Sequence, residues 1–278
     1  IQNDAGENVS QADIARMMVG KNVLDVEVYR EHAVGDVVLE VQHMSVDTRV
    51  KDVSFQLHAG EILGITGLLG DGKDEVVRAL FGDLPLAGGK IFKDGKEIKY
   101  RHPAQAKKQG IGLLPSNRKE NAIIRDLSVV ENMTIVTLDE YTTGPTLQRK
   151  KEMEVAQAYK QKLNIKVADM ANLIVSLSGG NQQKVVLAKW LTAHPDIMIL
   201  SNPTQGVDVG AKNEIYSIIM DLAKEGMGII VTSGEAQEVL KICDRVLVMY
   251  HGELKGELSR AEISEEAVMI LSTGGVLD

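Results

Sequence analysis

The chain has a single cysteine, Cys243, in 278 residues. That excludes a disulfide framework and fits a reducing compartment. No run approaches eighteen apolar residues, so no segment reads as a membrane span. The six histidines, at 32, 43, 58, 102, 194 and 251, are scattered without metal-ligand spacing. Positive charge is not in excess either. The net charge of −8 argues against nucleic acid as a partner held through a basic surface. The chain begins at Ile1 with neither Met nor a signal peptide, and it reads as a piece of something longer.

The composition is that of ordinary globular material, 44% hydrophobic and 25% charged, enough for one large α/β domain and something extra. Residues 1–22 read as a helix foreign to the rest of the chain, with Ser10 and Asp13 before Ile14, Met17 and Met18, and Gly20 as its stop. Ser264, Val268, Leu271 and Gly274 repeat that spacing at the far end. The repeat predicts that 1–22 is the tail of a preceding domain and that the chain is the second half of a duplication. Residues 23–36 are polar and irregular and read as a linker.

Strands are expected at Val37–Val41, Val53–Leu57 and Ile62–Thr66. Gly67-Leu68-Leu69-Gly70-Asp71-Gly72-Lys73-Asp74 follows the third strand directly, and Glu75–Phe81 reads as a helix. Strand, glycine loop ending in Gly-Lys, and helix is the arrangement that cradles phosphate. Backbone N–H groups wrap the oxygens and the lysine adds a point charge. Gly67, Gly70, Asp71, Gly72, Lys73, Asp74 and Glu75 are the candidate nucleotide-binding residues. The loop ordinarily closes on a Ser or Thr whose hydroxyl meets Mg²⁺, but here that position is Asp74. With Asp71 it places two carboxylates beside the expected phosphates, which weakens binding unless a cation lies between.

Asp94-Gly95 marks a hairpin between Lys90–Phe92 and Glu97–Lys99. Pro103–Gln109 reads as a short helix and Ile111–Leu114 as a strand. From about 115 to 176 the pattern is helical, with Val129–Val136 and a charged helix from about Gln148 to Leu163 whose charge run reads as a solvated face. Leu177-Ser178-Gly179-Gly180-Asn181-Gln182-Gln183-Lys184 is the most informative stretch. Ser178 is a good N-cap, helix reads from Gln182 to Leu191, and the two glycines let backbone approach a ligand. A helix start of this kind faces an anion, most often a phosphate; an ordinary Ser-capped glycine turn is the bland alternative. Beyond it, an apolar strand at 196–200 runs into Ser201-Asn202-Pro203-Thr204-Gln205-Gly206-Val207-Asp208. A helix at Ala211–Lys224, a strand at Gly228–Thr232, a helix at Glu235–Ile242 and a hairpin over 245–257 around His251-Gly252 complete the pattern. Strands alternating with helices imply a mostly parallel sheet covered on both faces, an α/β fold.

The order of these motifs, with a Pro-Thr-x-Gly-x-Asp run after the apolar strand, resembles the ATP-binding-cassette (ABC) transporter ATPases over roughly 37–258. The Leu177–Lys184 stretch and Gly206-Val207-Asp208-Val209-Gly210 are similar to the second cassette of tandem monosaccharide importers of the ribose, galactose and xylose type. The resemblance implies a P-loop NTPase cassette over 37–278: a mostly parallel sheet covered by helices, an antiparallel β portion, and a helical subdomain at about 115–176. It implies ATP and Mg²⁺ as cofactors. The implied partners are the preceding cassette of the same polypeptide, transmembrane permease subunits and, indirectly, a periplasmic or extracellular sugar-binding protein. The location it implies is peripheral, on the cytoplasmic face of the cell membrane.

In that family two cassettes sandwich ATP head to tail. Carried over, Ser178, Gly179, Gly180 and Gln182 serve the ATP of the preceding cassette, and Gly206 and Asp208 form the D-loop. The chain's own site departs from the family pattern. Ser201-Asn202 stands where Asp-Glu is usual, so the group that would take a proton from water is gone. Ser116 stands near the position of the expected glutamine, Glu235 near the switch histidine, and no aromatic occupies 46–50. The resemblance thus implies an importer ATPase half whose own site does not hydrolyse ATP. Asp74 and Ser201 either exchange a hydroxyl and a carboxylate around one Mg²⁺ position or have diverged independently. A catalytically silent sensing or dimerisation module is the rival reading. An ordinary phosphate-loop kinase or GTPase would leave the Leu177–Lys184 helix without a role.

Overall fold

A computed structural model describes residues 28–277; the expected helix at 1–22 lies outside the described residues. The chain opens with two long antiparallel strands, β1 (Val37–Val46) and β2 (Val50–His58), then the short, wholly buried β3 (Ile62–Thr66). Both opening strands run several residues beyond expectation. A register shift between Val41 and Met44 carries the β1–β2 pairing past His43, which takes positive φ, as does Asp47 in the turn that follows. Helix α1 (Lys73–Leu80) follows the glycine loop, and β4 (Gly88–Lys93) and β5 (Lys96–Ile98) form the expected hairpin. Its Asp94-Gly95 turn has both residues at positive φ, which the tight two-residue turn requires. Helix α2 (Pro103–Lys108) leads to β6 (Ile111–Leu114).

The segment read as helical holds α3 (Arg118–Asn121), α4 (Val129–Thr134), a 3₁₀ stretch at Ile135–Tyr141 and α5 (Arg149–Lys162). It also holds a two-stranded ribbon, β7 (Thr142–Thr143) with β8 (Thr146–Leu147), which periodicity did not anticipate. The expected helix at 129–136 gives way after Thr134, and Thr137 leaves helical geometry altogether. Then come α6 (Gly179–Leu191), β9 (Ile197–Ser201), α7 (Val209–Lys224), β10 (Gly228–Thr232), α8 (Ala236–Ile242), β11 (Arg245–Tyr250), β12 (Glu253–Ser259) and α9 (Glu265–Ser272). Ser264, singled out by the repeat, caps α9 by accepting from the Ala267 N–H at 3.1 Å.

Six strands form the main sheet in the order β12-β11-β3-β10-β9-β6, parallel except for β12 at one edge. A second, antiparallel sheet has the order β2-β1-β4-β5. The parallel strands are buried on both faces, so alternate residues supply two cores. Met198, Leu200, Ile229 and Val231 join the core beneath α6 and α7, while Ile197, Ile199, Ile230 and Ile65 join the core shared with α1 and the antiparallel sheet. Residues 28–36, within the expected linker, form no regular element, yet they pack against the body. Val28 is buried, the Tyr29 hydroxyl donates to Asp244 at 2.9 Å, and the Arg260 guanidinium lies 4.0 Å from the Tyr29 ring centroid.

Candidate functional site

The glycine loop leaves the carboxyl end of β3, a central strand held between β11 and β10, which is where open α/β sheets bind ligands. Gly70 and Gly72 take φ of 89° and 95°, and a Cβ on Gly72 would come within 3.0 Å of the Arg49 carbonyl oxygen. Lys73 is buried, and its ammonium donates to the carbonyls of Gly67 at 3.2 Å and Leu68 at 2.9 Å. The lysine therefore closes the loop from within. Asp71 departs from expectation. Its carboxylate is buried and accepts from the Leu68 N–H at 2.7 Å and the His251 N–H at 3.2 Å. It ties the loop to the β11–β12 turn, so it is an internal strut and not a charge aimed at phosphate.

Asp74 behaves differently. It sits in the first turn of α1, where the helix dipole favours a carboxylate. Its Oδ1 is buried without a hydrogen-bond partner among the described residues. Asp74, Ser116 and Ser201 line one cavity of about 670 Å³, together with Arg49, Glu75 and Asn121. The fold thus brings together the three positions expected from the resemblance to be those of the hydroxyl, the glutamine and the acid. Ser201 ends β9 and accepts from the Thr232 hydroxyl at 3.1 Å. Asn202 takes φ 45°; its N–H donates to the Thr232 carbonyl at 2.7 Å, and its side-chain oxygen accepts from the Gly234 N–H at 3.4 Å. Its amide cannot hold a proton from water. Glu235 points to the surface and pairs with Lys212 at 3.0 Å. No aromatic stands in the β1–β2 turn. Arg49 reaches from it to Glu75, with Nη1 2.5 Å from the carboxylate. A slightly larger cavity, about 700 Å³, lies apart from these residues, between α1, α2 and the β4–β5 hairpin.

The second cluster is the start of α6. The helix begins at Gly179, three residues earlier than periodicity indicated. Ser178 occupies the N-cap with extended backbone, but its side chain caps no backbone N–H. Its exposed Oγ instead accepts from the Asn181 amide at 2.9 Å. That leaves the hydroxyl hydrogen and the N–H groups of the first turn available to an anion. The glycines have an internal reason as well. A Cβ on Gly180 would stand 2.4 Å from the Ala211 Cβ, and one on Gly179 would stand 2.7 Å from Nη2 of Arg118 and 3.1 Å from the Gly206 carbonyl. Close approach is required by the molecule itself, whatever ligand comes. Gln182 is buried, its amide donating to Leu177 at 3.0 Å and Ile174 at 3.4 Å, so it braces the preceding turn. Asp208 caps α7 by accepting from the Ala211 N–H at 3.0 Å, and Gly206 turns at φ 65°. Arg118, which no motif singles out, joins these pieces. Its Nη1 donates to the Gln205 carbonyl at 2.6 Å and its Nη2 to that of Gly206 at 3.0 Å. A lone arginine in a polar stretch gives no periodic signal.

Strand, glycine loop, lysine and helix at the carboxyl edge of a parallel sheet define a phosphate-loop nucleotide-binding domain. The profile described as "ABC transporter" matches residues 50–205, more than half of the chain. The chain belongs to that ATPase family. It is 40% identical over 274 residues to a putative ribose/galactose/methyl galactoside import ATP-binding protein of Halalkalibacterium halodurans, covering 99% of this chain and 52% of that protein. A protein of the same description in Pseudomonas fluorescens is 44% identical over 258 residues, covering 93% and 50%. The chain spans about half the length of the curated relatives it matches. Among solved structures, an ATP-binding cassette of an ABC transporter, MJ1267, aligns with a TM-score of 0.73 at 20% identity, covering 84% of this chain and 98% of that one. The Clostridium perfringens protein cbiO1 aligns with a TM-score of 0.70 at 22% identity, covering 84% and 93%. These likenesses bear on the fold, and the expected ABC cassette architecture is present. No helix among the described residues is long and apolar enough to cross a membrane.

Proposed function

We propose that the chain is one ATP-binding half of a sugar importer of the ribose and galactose class. It comes after a preceding cassette in the same polypeptide and docks on permease subunits at the cytoplasmic face of the membrane through the 115–176 segment. A sugar-binding protein on the outer side delivers the cargo. The start of α6 completes the ATP site of the preceding cassette: Ser178 and the first-turn N–H groups face its γ-phosphate and stabilise the charge that develops there. The carrying observation is the exposed Ser178 at a helix start with no side-chain cap. Gly180 and Gln182 hold that start in place from inside.

The chain's own pocket binds ATP weakly at most and does not turn it over, because Asn202 stands where a proton acceptor is needed. The orphaned Asp74 oxygen fits a cation. Asp74 and Ser201 would hold Mg²⁺ together with nucleotide phosphates, and the ion would neutralise phosphate charge there. No group of three acidic, histidine or cysteine side chains able to hold a metal occurs among the described residues.

The experiment is ATP hydrolysis by the full-length polypeptide with its permease, comparing Ser178→Asp with Ser178→Asn. Both residues are good N-caps, so the helix start survives either change. Ser178→Asp is expected to lose at least about a hundredfold in turnover, Ser178→Asn far less, and Lys73→Ala little. Full turnover in Ser178→Asp would leave the silent-module reading in its place. For the metal, Asp74→Asn is expected to abolish Mn²⁺-dependent nucleotide binding in the chain's own pocket, and Asp74→Ser with Ser201→Asp to restore it. Binding indifferent to Mn²⁺ would remove the metal assignment.

A further inference from the structure

Arg118 is 6% exposed, and it has no ion-pair partner among the described residues. Its two terminal nitrogens each meet one carbonyl, of Gln205 and Gly206, and its Nε is buried with no hydrogen-bond partner among the described residues. Carbonyl dipoles offset only part of a guanidinium charge, and burying such a charge without a carboxylate is destabilising by several kcal/mol. An arginine does not escape by losing its proton. The position of the charge is also unusual. Its Nη2 lies 2.7 Å from where a Cβ on Gly179 would be, beside the first residue of α6. The positive pole of a thirteen-residue helix therefore adjoins a buried cation, and only the Gly206 carbonyl dipole, with no full negative charge, stands against both. Repulsion of this kind is relieved by an anion seated on the helix start. Arg118 lies two residues beyond Ser116, so the segment that lines the chain's own cavity also carries this charge.

We propose that Arg118 is a positioning residue for the anion seat of α6. It clamps the Gln205–Gly206 turn against Gly179 and adds a buried positive charge beside the seat that receives the partner cassette's γ-phosphate. This rests on the reading that α6 serves a neighbouring nucleotide. It goes further by assigning part of the attraction to a side chain outside the Leu177–Lys184 stretch.

The test uses the full-length polypeptide with its permease, orthovanadate as the γ-phosphate mimic, and two variants. Arg118→Lys keeps the charge and loses the two-pronged clamp. Arg118→Gln keeps a donor for one carbonyl and loses the charge. Charge-based positioning predicts that Arg118→Gln lowers turnover and weakens vanadate inhibition in parallel, each by about ten- to a hundredfold, at unchanged KM for ATP. Arg118→Lys, which keeps the charge but loses the two-pronged clamp, should fall between the parent and Arg118→Gln. Thermal unfolding of both variants identifies any loss caused by misfolding. If the two variants are equally impaired while folded, the carbonyl clamp alone matters and the charge assignment fails. Wild-type vanadate sensitivity in folded Arg118→Gln overturns the proposal outright. Ser178→Asp, measured beside them, separates the two levels. If it is inactive while Arg118→Gln is normal, the α6 reading stands and only the role of Arg118 falls.

Discussion

Two regions of this chain proposed to face phosphate use their polar atoms in opposite ways. At the glycine loop, the polar side chains other than Asp74, whose Oδ1 has no partner among the described residues, are engaged with the protein. The Lys73 ammonium is bonded to loop carbonyls, the Asp71 carboxylate to loop and turn N–H groups, and Asn202 to β10 and the turn after it. At the start of α6 the inner atoms are equally engaged, but Ser178 is exposed and its side chain caps no first-turn N–H. A site turned inward can keep its fold while its chemistry lapses. A helix start left open carries an energetic disadvantage that binding an anion removes.

The largest effect that would break this contrast is the loss of hydrolysis expected from Ser178→Asp. Next in size is Gly180→Ala. Its Cβ would meet that of Ala211 at 2.4 Å, so we expect about 1–3 kcal/mol of destabilisation, read from urea unfolding. Gly70→Ala meets no atom within 4 Å and carries only the strain of φ 89°, about 1 kcal/mol. A Gly70→Ala loss equal to that of Gly180→Ala would show that packing is not what fixes the α6 start.

Asp71→Asn sharpens the comparison on the other side. A strut reading predicts about 1–2 kcal/mol of lost stability and nucleotide affinity in the chain's own pocket that stays level or falls. A rise in affinity would mean that Asp71 repels phosphate after all.

The smallest effect concerns Lys189, in the last turn of α6, whose ammonium donates to the Ala122 carbonyl at the end of α3. Burial lowers its pKa to about 8. The folded state then binds fewer protons than the unfolded state between about pH 8 and 10.4, so stability rises with pH across that window, and below it the penalty is fully present. Lys189→Met should therefore stabilise the chain at pH 7, by on the order of 1–3 kcal/mol, and remove that rise. A lower unfolding midpoint at pH 7 would show that the bond to Ala122 outweighs the buried charge.

Much of the fold is legible in the residues. The buried strands Ile62–Thr66 and Gly228–Thr232 have the expected bounds because an apolar run ended by glycine or polar residues has few alternatives. Asp94-Gly95 and His251-Gly252 announce their hairpins through turn chemistry. Tertiary contacts decide the remainder. Gly179 and Gly180 are poor helix formers, so propensity delays α6, whereas packing against Arg118, Gly206 and Ala211 extends it. The roles of Asp71 and Asp74 could not be separated from spacing alone, since one meets the N–H of a residue 180 positions away and the other faces a cavity. Arg118 was hidden for the same reason: its two acceptors lie 87 and 88 residues further along the chain.

The most direct test of the asymmetry is to trap the full-length polypeptide and its permease with radiolabelled ATP and orthovanadate, cross-link the trapped nucleotide, and locate it by proteolysis. The account predicts one trapped ADP per polypeptide, attached to the preceding cassette and absent when Ser178 is changed to Asp. ADP trapped on the Gly67–Asp74 loop of this chain would contradict it.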